Sequence, residues 1–405
     1  MSEAGTTIDP PETVLARVEG AKPLSGVART GVGLREPDLG DLPSMAVADR
    51  IPRLREALVE VGCDALLVTR LVNLRYLTGF TGSAGMLVLL DDALVFVTDG
   101  RYRDQAAEQL TAAGVEARIE ISSSDEREIV AGAVTRGGAT TLGLEADDIT
   151  WSRQRAFAES WFPGLSLLAT SGLVEKLRLV KDDGEVARIA AAAAVADIAL
   201  DHVRHRLADG LTEQEFGLEL DTEIRRLGAT GNSFETIVGS GPNGAKPHHR
   251  PGTRHIVEGD LVVVDFGAVV DGYCSDMTRT IMVGEATPTQ QQMLDVVTEA
   301  QQAGIDAVRA GQPVRAIDEA CRRVIGDAGW GAAFLHATGH GVGLEIHEAP
   351  RVAATADATL EAGFVVTVEP GVYLPEHGGV RVEDTVVVTD AGCRPLTLTA
   401  KTTVV

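Results

Sequence analysis

The sequence predicts an α+β protein of two domains, and three observations carry this prediction. Short apolar strands alternate with amphipathic helices between about residues 46 and 172. Further along, apolar strands follow one another as hairpins, for example residues 262–270 and 273–281 on either side of Asp271 and Gly272. A length of 405 residues with 44% hydrophobic residues is enough for two domains of ordinary size.

The first part of the chain divides into an extension and an α/β domain. Residues 1–45 combine Pro, Gly, Asp and Glu with little periodicity, which predicts a flexible extension. Residues 46–172 form the predicted α/β domain. Its first predicted elements are an amphipathic helix, a buried strand and the two strands of a hairpin, over residues 49–61, 65–69, 86–90 and 93–97.

A charged connector is predicted over residues 173–185, and the second domain over residues 186–405. That domain should open with an Ala-rich helix from residue 186 to about residue 207. Two capping boxes open later helices, because a Thr side chain and a Glu or Gln three residues on can bond the first free backbone amides. They are Thr212 with Glu215, in a helix closed by Gly228, and Thr287 with Gln290, in a helix that has Pro288 in its first turn and runs to about residue 308.

The hairpin places two aspartates on one face of its sheet. Asp271 and Gly272 favour a two-residue type I′ turn, so residue 270 pairs with 273 and residue 267 with 276. Asp265 lies two residues from 267 and therefore faces the same side as Asp276, in a diagonal relation. Two carboxylates on a mostly apolar hairpin repel each other unless a cation lies between them. Taken alone, the pair could equally be two strand-end aspartates that face solvent.

Three more side chains that commonly bind metals follow: His340, Glu369 and Glu383. His336 and His340 have the spacing of a zinc-binding helix, but no Glu follows His336 and the glycines around His340 oppose a helix. An extended Gly-rich segment is expected instead, in which the backbone can approach a ligand closely. Glu369 and Glu383 lie in strand-like runs of β-branched residues, where an unpaired charge is costly. Together with the aspartate pair, these side chains suit two divalent cations.

A glycine-rich run has the pattern of a nucleotide-binding loop. Residues 239–244 match the pattern G-x-G-x-x-G and follow an apolar pair. Pro242, Pro247 and Pro251 prevent the helix whose N-terminus would hold a pyrophosphate. A dinucleotide site is therefore rejected.

Charge and cysteine usage limit the partners and the compartment. A net charge of −23 argues against nucleic acid and anionic membranes, because both require a basic surface. The 4 cysteines are scattered, which suits reduced thiols in a cytosol. The first residues have neither a basic nor an apolar leader segment, and no run reaches the length of a membrane span. A cytoplasmic protein is expected.

The motifs around the metal-seeking side chains resemble those of the pita-bread metallopeptidases, which include aminopeptidase P, prolidase and methionine aminopeptidase. The order Asp, Asp, His, Glu, Glu matches, as do Val-Asp-Phe-Gly, Ser-Asp-Met-Thr-Arg-Thr, Thr-Gly-His-Gly-Val-Gly, Val-Glu-Pro-Gly-Val-Tyr and Val-Arg-Val-Glu-Asp. Residues 73–83 and 96–102 resemble the creatinase-type N-terminal domain of aminopeptidase P and prolidase. The resemblance covers about residues 46–405. It implies a creatinase-type α/β domain followed by a pita-bread domain, a curved antiparallel sheet backed by helices.

The resemblance also implies a role for each metal-seeking side chain. Asp265 would chelate one divalent cation and His340 the other, while Asp276 and Glu383 would bridge the two. Glu369 would bind the cation held by His340 and accept the proton of the attacking water. Mn²⁺ is the first choice because carboxylate-rich sites suit harder ions, and Zn²⁺, Co²⁺ or Fe²⁺ could occupy the same ligands.

Three further residues match active-site positions of the family. His248 lies 17 residues before the first aspartate ligand, which is the family's spacing and favours His248 over His249. His347 lies seven residues after the histidine ligand and matches the second active-site histidine. Both would hydrogen-bond the carbonyl oxygen and the tetrahedral intermediate. Arg381 matches an arginine that organises the last carboxylate, with which it would share a strand face.

The leading hypothesis is a dinuclear metallohydrolase that cleaves the bond between an N-terminal residue and proline. Its partners would be proline-containing peptides, and the family expectation is a homodimer; the preference for proline comes from the resemblance alone. Methionine aminopeptidase is the alternative peptidase, but it usually lacks the creatinase-type domain. Creatinase-like hydrolases and metal-free binding proteins have typically lost the ligands. Dipeptidase and aminopeptidase P both stay open, although residues 73–83 look closer to bacterial aminopeptidase P-like proteins.

Overall fold

The computed structural model describes residue 34 and residues 37–405. Its contacts define two compact units. The N-terminal unit comprises residues 44–178, and the C-terminal unit comprises residues 179–405 with the described residues up to Pro43. Most of the extension predicted over residues 1–45 lies outside the described residues.

The N-terminal unit alternates helices with strands, as predicted. Its strands are β1 (Ala65–Val68), β2 (Met86–Leu89), β3 (Leu94–Asp99), β4 (Arg118–Ser122), β5 (Thr141–Glu145) and β6 (Ser166–Thr170). Its helices are α1 (Arg50–Glu60), α2 (Leu71–Thr78), α3 (Arg103–Ala112), α4 (Glu126–Arg136), α5 (Trp151–Ala156) and α6 (Leu173–Leu179), which ends at the unit boundary. Short helical turns cover Val47–Asp49, Gly100–Tyr102 and Phe157–Trp161.

Within residues 44–178 the strands form one six-stranded sheet in the order β4-β3-β2-β1-β5-β6. The predicted hairpin is present: β2 and β3 are antiparallel, and Leu89 pairs with Leu94. The pairs β3–β4, β1–β5 and β5–β6 are parallel, and helices make the crossovers that parallel strands need. Buried valines and leucines of the central strands form the core.

The C-terminal unit is built on mostly antiparallel sheets. Its strands are β7 (Gly231–Asn232), β8 (Ile237–Ser240), β9 (Leu261–Phe266), β10 (Ala268–Val270), β11 (Tyr273–Cys274), β12 (Met277–Met282), β13 (Gly339–Gly341), β14 (Glu348–Val352), β15 (Val365–Val368), β16 (Gly371–Leu374), β17 (Gly378–Arg381), β18 (Asp384–Thr389), β19 (Gly392–Pro395) and β20 (Thr402–Val404). The two larger sheets have the orders β20-β12-β9-β8 and β14-β13-β15-β18-β19. The smaller sheets are β11-β10-β7 and β16-β17.

Three of the four long helices described in this unit begin at capping boxes, and the fourth follows Pro313 without a side-chain cap. The four helices are α7 (Asp183–Val203), α8 (Glu213–Arg226), α9 (Pro288–Ala307) and α10 (Val314–Asp327), with short turns over Arg204–Asp209, Gly241–Ala245 and Gly331–Ala333. The boxes predicted at Thr212 and Thr287 are both present. A third box at Asp182 and Glu185 starts α7 inside the predicted connector, three residues before the predicted start. No helix of the described residues is long and apolar enough to cross a membrane.

Each large sheet is backed by its own helix pair. Alanines of α7 and apolar residues of α8 pack on β9 and β12 in one core. Apolar residues of α9 and α10 pack on β15 and β18 in another. Because side chains alternate along a strand, each of these strands directs every second residue away from its helices.

Candidate metal centre

Asp265 and Asp276 lie where the hairpin register predicts. Asp265 pairs with Thr278 across β9 and β12, and Val270 pairs with Tyr273 beside the turn, so both ladders share one register. Asp271 and Gly272 have φ values of 43° and 76°, as a type I′ turn requires. Val264 and Phe266, on either side of Asp265 in β9, are buried in the core beneath the helices. Because side chains alternate along a strand, Asp265 faces the opposite side of the sheet.

Glu369 and Glu383 come from the second large sheet by the same alternation. Val366 and Val368 face the core of α9 and α10, so Glu369, directly after β15, faces away from it. Glu383 lies directly before β18, and the predicted single run is broken there into β17 and β18. Carboxylate oxygens of Asp265, Asp276 and Glu383 all lie within 4.8 Å of one another.

His340 joins this group from β13, an extended segment as predicted. Its Nε2 atom lies 3.5 Å from an oxygen of Asp276 and 3.5 Å from an oxygen of Glu369. The glycines of this segment lie close to the neighbouring strands, and their approach to a ligand stays a prediction. A Cβ on Gly339 would lie 2.1 Å from a carbonyl oxygen of β15, and one on Gly341 would lie 2.2 Å from a carbonyl oxygen of β14. The glycines therefore bring β13 close to its neighbouring strands.

Two buried carboxylate oxygens of the cluster have no hydrogen-bond donor within the described chain: Asp265 Oδ1 and Glu383 Oε1. An unsatisfied buried acceptor costs about 1–3 kcal/mol, and more when it is charged. Four carboxylates and one imidazole are oxygen and nitrogen ligands that divalent cations bind readily. The donor set therefore fits divalent metal ions.

The electrostatics of the cluster favour the same conclusion. Burial raises the pKa of Asp276 well above its usual value, and the carboxylates of Glu383 and Asp265 raise it further. Burial also raises the pKa of Glu369 to about 8 and the pKa of Glu383 well above its usual value. Burial lowers the pKa of His340 to about 4, so its neutral ring can act as a ligand at pH 7. Cations would take the place of these protons.

Arg381 directs its guanidinium to Asp265 rather than to Glu383. Its Nη2 atom donates to Asp265 Oδ2 at 2.6 Å. Its Nε atom donates to Thr278 Oγ1 at 3.0 Å, and this hydroxyl donates to Glu383 Oε2 at 2.7 Å. Glu383 lies between β17 and β18 rather than in the strand of Arg381, although both side chains line one cavity. Arg381 reaches the last carboxylate through Thr278.

A hydrogen-bond chain continues from Arg381 to His336. Arg381 Nη1 donates to the hydroxyl of Tyr373 at 2.7 Å, and this hydroxyl lies 2.8 Å from Nε2 of His336. Burial lowers the pKa of His336 to about 4, so its ring is neutral. Its Nδ1 atom lies 2.8 Å from the carbonyl oxygen of Ala337 and donates there, which leaves Nε2 to accept from Tyr373.

The two adjacent histidines of the 239–251 loop have different surroundings. His248 lines the cavity over the carboxylates. His249 instead donates from Nε2 to Glu213 at 2.8 Å. His347 also lines the cavity, and its ring centroid lies 4.3 Å from that of His340 in an edge-to-face arrangement. This geometry agrees with the choice of His248 over His249, while the catalytic roles stay predictions.

The cavity has a volume of about 470 Å³, within the range of small-molecule sites. All predicted site residues line it: His248, Asp265, Asp276, His340, His347, Glu369, Arg381 and Glu383. Further lining residues were not predicted: Phe234, Ile237, His336, Ile346, Glu348 and Arg351. Alternation could have indicated Arg351, because it lies four residues after His347 in an extended segment. Phe234 carries no comparable signal in the sequence.

Two family models match the chain. The model of metallopeptidase family M24 matches residues 187–390. The model of the creatinase/prolidase N-terminal domain matches residues 50–180.

Solved structures and curated relatives match most of the chain. An Xaa-Pro dipeptidase from Bacillus anthracis has a TM-score of 0.86 and 40% identity, over 89% of this chain and 100% of that one. An X-Pro aminopeptidase from Thermotoga maritima MSB8 has a TM-score of 0.81 and 31% identity, over 86% of this chain and 100% of that one. An uncharacterized peptidase of Bacillus subtilis (strain 168) is 38% identical over 87% of this chain and 98% of its own length. These matches confirm the predicted fold class of a creatinase-type domain followed by a pita-bread domain.

Proposed function

This chain belongs to metallopeptidase family M24 and is an enzyme of that family, and we propose that it is a dinuclear Xaa-Pro dipeptidase. The observation that carries the metal part is the pair of buried oxygens, on Asp265 and Glu383, that no donor of the described chain satisfies. The relatives named for Xaa-Pro substrates support the preference for proline. Two divalent cations would be held by Asp265, Asp276, His340, Glu369 and Glu383.

The chain's own residues would supply the proton transfer and the oxyanion contacts. When bound, the cations would lower the pKa of a water molecule and polarise the scissile carbonyl. Glu369, whose pKa burial raises to about 8, would accept the proton of the attacking water. His248 and His347 line the cavity and would donate to the carbonyl oxygen as it becomes negative.

Arg351 supports a dipeptidase rather than an enzyme for longer peptides. Its exposed side chain lines the cavity, and no carboxylate in the described part of the chain pairs with it. The free carboxylate of an Xaa-Pro dipeptide lies one residue past the scissile bond. A guanidinium binds such a carboxylate through two parallel hydrogen bonds. We favour this argument over the resemblance of residues 73–83 to bacterial aminopeptidase P-like proteins.

The direct test compares Met-Pro, Met-Pro-Ala, Met-Ala and Met-Ala-Ala at equal concentration with Mn²⁺. We expect fast hydrolysis of Met-Pro, slower hydrolysis of Met-Pro-Ala, and little of the Met-Ala peptides. Preference for Met-Pro-Ala over Met-Pro would indicate an aminopeptidase P. Fast cleavage of Met-Ala-Ala with Met-Pro-Ala untouched would indicate a methionine aminopeptidase and refute the preference for proline.

The carboxylate contact is tested with Arg351→Met. We expect the KM for Met-Pro to rise roughly tenfold, equivalent to about 1.4 kcal/mol, with little change in kcat. Met-prolinamide, which lacks the carboxylate, should be unaffected. Arg309→Met removes another exposed arginine of the same unit, outside the residues that line the cavity, and is the matched control. Equal KM changes for Met-Pro and its amide would assign Arg351 no role in carboxylate binding.

The proposal also names a native metal, an oligomeric state and a cellular compartment. We favour Mn²⁺ because four of the five ligands are carboxylates, which suit harder ions. Metal analysis of protein purified without added metal tests this choice. The homodimer and the cytoplasmic location stay predictions, and sedimentation would measure the first.

A further inference from the structure

The charged connector contains a buried lysine that the proposed reaction does not use. Lys181 lies between α6 and α7, and its side chain is 1% exposed. Its Nζ atom lies 3.1 Å from Oε2 of Glu348, whose side chain is 6% exposed. Desolvating both charges is costly, and removing one partner leaves the other without its opposite charge. Such a pair often adds little to the free energy of unfolding, so a role in positioning the surrounding backbone is the better explanation.

Lys181 has a fixed place relative to the strand that precedes Glu369. Its backbone amide donates to the carbonyl oxygen of Gly363 at 2.9 Å, just before β15. Gly363 has a φ of +89°, and a Cβ there would lie 3.1 Å from the carbonyl oxygen of Lys181. The ammonium group is therefore presented from a backbone that is tied to the metal-bearing sheet.

Glu348 closes the turn of residues 343–348, which carries His347. Its Oε1 atom accepts a hydrogen bond from the amide of Glu345 at 3.1 Å. Its carboxylate lies against Gly343, where a Cβ would be 2.6 Å from both oxygens. At the start of the turn, the amide of Cys274 donates to the carbonyl oxygen of Gly343 at 2.8 Å. The turn is thus held at one end by the hairpin and at the other by Glu348.

We propose that Lys181 and Glu348 are a positioning pair that holds the His347 turn over the metal centre. The proposal rests on the proposed function, in which His347 donates to the substrate. The ring of His347 packs on the ring of His340, but within the described residues no hydrogen bond fixes it. Its direction is therefore set by this packing and by the backbone of the turn. Without Lys181 the Glu348 carboxylate would turn toward water in the cavity and release the amide of Glu345.

The first test is Lys181→Met, assayed on Met-Pro with full metal. A misplacement of about 1 Å in an active site can cost about 10²-fold, so we expect kcat to fall roughly 10- to 100-fold with a nearly constant KM. Metal content should not change, and Lys181→Arg should restore most of the activity. Arg226→Met, which breaks the exposed pair with Glu223, is the matched control and should keep kcat. Unchanged kcat in Lys181→Met would overturn the proposal.

The second test separates positioning from general destabilisation. In a His347→Ala background, Lys181→Met should lower kcat by less than about twofold, because the pair acts through His347. The same fold loss in both backgrounds would overturn the proposal. If Lys181→Met does not fold, Glu348→Gln replaces it: kcat should fall in the wild type and by less than about twofold in the His347→Ala background, and equal losses would overturn the proposal.

Nuclear magnetic resonance tests the positioning of His347 independently of catalysis. The imidazole ¹⁵N resonances of His347 should shift in Lys181→Met and stay in place in Arg226→Met. The amide of Glu345 should also exchange faster in Lys181→Met. If the wild type does not hydrolyse Met-Pro, the proposed function is wrong, and these signals still test the positioning. Unchanged resonances and exchange would refute it.

Discussion

Two buried glutamates of the C-terminal unit differ in how their oxygens are satisfied. Glu213 is 0% exposed and Glu383 is 1% exposed. Glu213 accepts hydrogen bonds from four residues: Ser240, Asn243, His249 and Gly252. Glu383 accepts one, from Thr278, and its Oε1 atom has no donor among the described residues.

The difference in donors reverses the electrostatic outcome of burial. At Glu213 burial raises the pKa, but the hydrogen bonds from Ser240 and His249 outweigh it, and the pKa falls below its usual value. At Glu383 burial raises the pKa well above its usual value, and the carboxylates of Glu369 and Asp265 add to the shift. Burial alone therefore does not mark a metal ligand. A buried carboxylate that lacks donors does, because native proteins rarely leave such groups unpaired.

The largest expected effect comes from neutralising Glu383. Glu383→Gln should lose at least one metal ion and lower kcat by roughly 10³-fold or more, which corresponds to about 4 kcal/mol of transition-state stabilisation. Asp276→Asn should behave in the same way, with the fold retained by circular dichroism. Chelator should inactivate the wild type and Mn²⁺ should restore it.

Glu213→Gln is the matched control for that measurement. It should keep both metal ions and lose about 1–3 kcal/mol of stability, since some of its donors are left unpaired. Full activity of Glu383→Gln in excess chelator, or metal loss in Glu213→Gln, would break the distinction between the two sites.

The adjacent histidines differ in the same way, because His248 lines the cavity and His249 donates a hydrogen bond to Glu213. His248→Ala should lower kcat by roughly 10²–10³-fold with metal content near wild type, the scale for one oxyanion donor. His249→Ala should reduce kcat less and lower the free energy of unfolding by about 1–3 kcal/mol. A larger kcat loss in His249→Ala than in His248→Ala would show that the 17-residue spacing selects the wrong histidine.

The features that the sequence predicted best are set by local rules. The Asp271-Gly272 turn determines the hairpin register, and the register determines the common face of Asp265 and Asp276. The capping boxes at Thr212 and Thr287 need only a side chain three residues away. These interactions span few residues, so the sequence alone contains the information that they need.

The features that escaped prediction depend on segments that meet only in the folded chain. Arg381 bonds Asp265, 116 residues away, instead of the nearby Glu383. The Lys181–Glu348 pair spans 167 residues and leaves no periodic signal. The close packing of Gly339 and Gly341 against carbonyl oxygens of neighbouring strands was not predicted either. The roles of the site residues were transferred by resemblance, and the experiments above test them.

The next expected effect is a coupling between metal binding and pH. In the metal-free protein Glu369 has a pKa of about 8, raised from 4.5, so at pH 7 it holds a proton that a cation must displace. Metal affinity should therefore rise between pH 6 and pH 8, by up to about tenfold per pH unit for each proton released. Calorimetry in buffers of different ionisation enthalpy measures the released protons.

The same shift predicts the pH dependence of stability without metal. Because the pKa of Glu369 is raised in the folded state, its contribution to stability is present below about pH 4.5 and is lost as the pH rises through about 8. Saturating Mn²⁺ should remove this loss. Near pH 8 Glu213 is ionised in both states, because its pKa is lowered in the folded protein, and it should not contribute to this loss. Binding without proton release at pH 7 would contradict the protonated cluster.

The smallest expected effect comes from removing the Thr278 hydroxyl, which among the described residues is the one side-chain donor to Glu383. Thr278→Val deletes the hydroxyl that donates to Glu383 at 2.7 Å and accepts from Arg381 at 3.0 Å, with almost no change in shape. Residues that orient a ligand typically contribute 10- to 100-fold to metal affinity, and we expect roughly tenfold here because the ligand itself stays. Thr278→Ser keeps the hydroxyl and should bind metal as the wild type does. Removing one of several donors from Glu213, by Asn243→Ala, should leave metal affinity unchanged. Equal affinities of Thr278→Val and the wild type would mean that Arg381 does not act on the last carboxylate through Thr278.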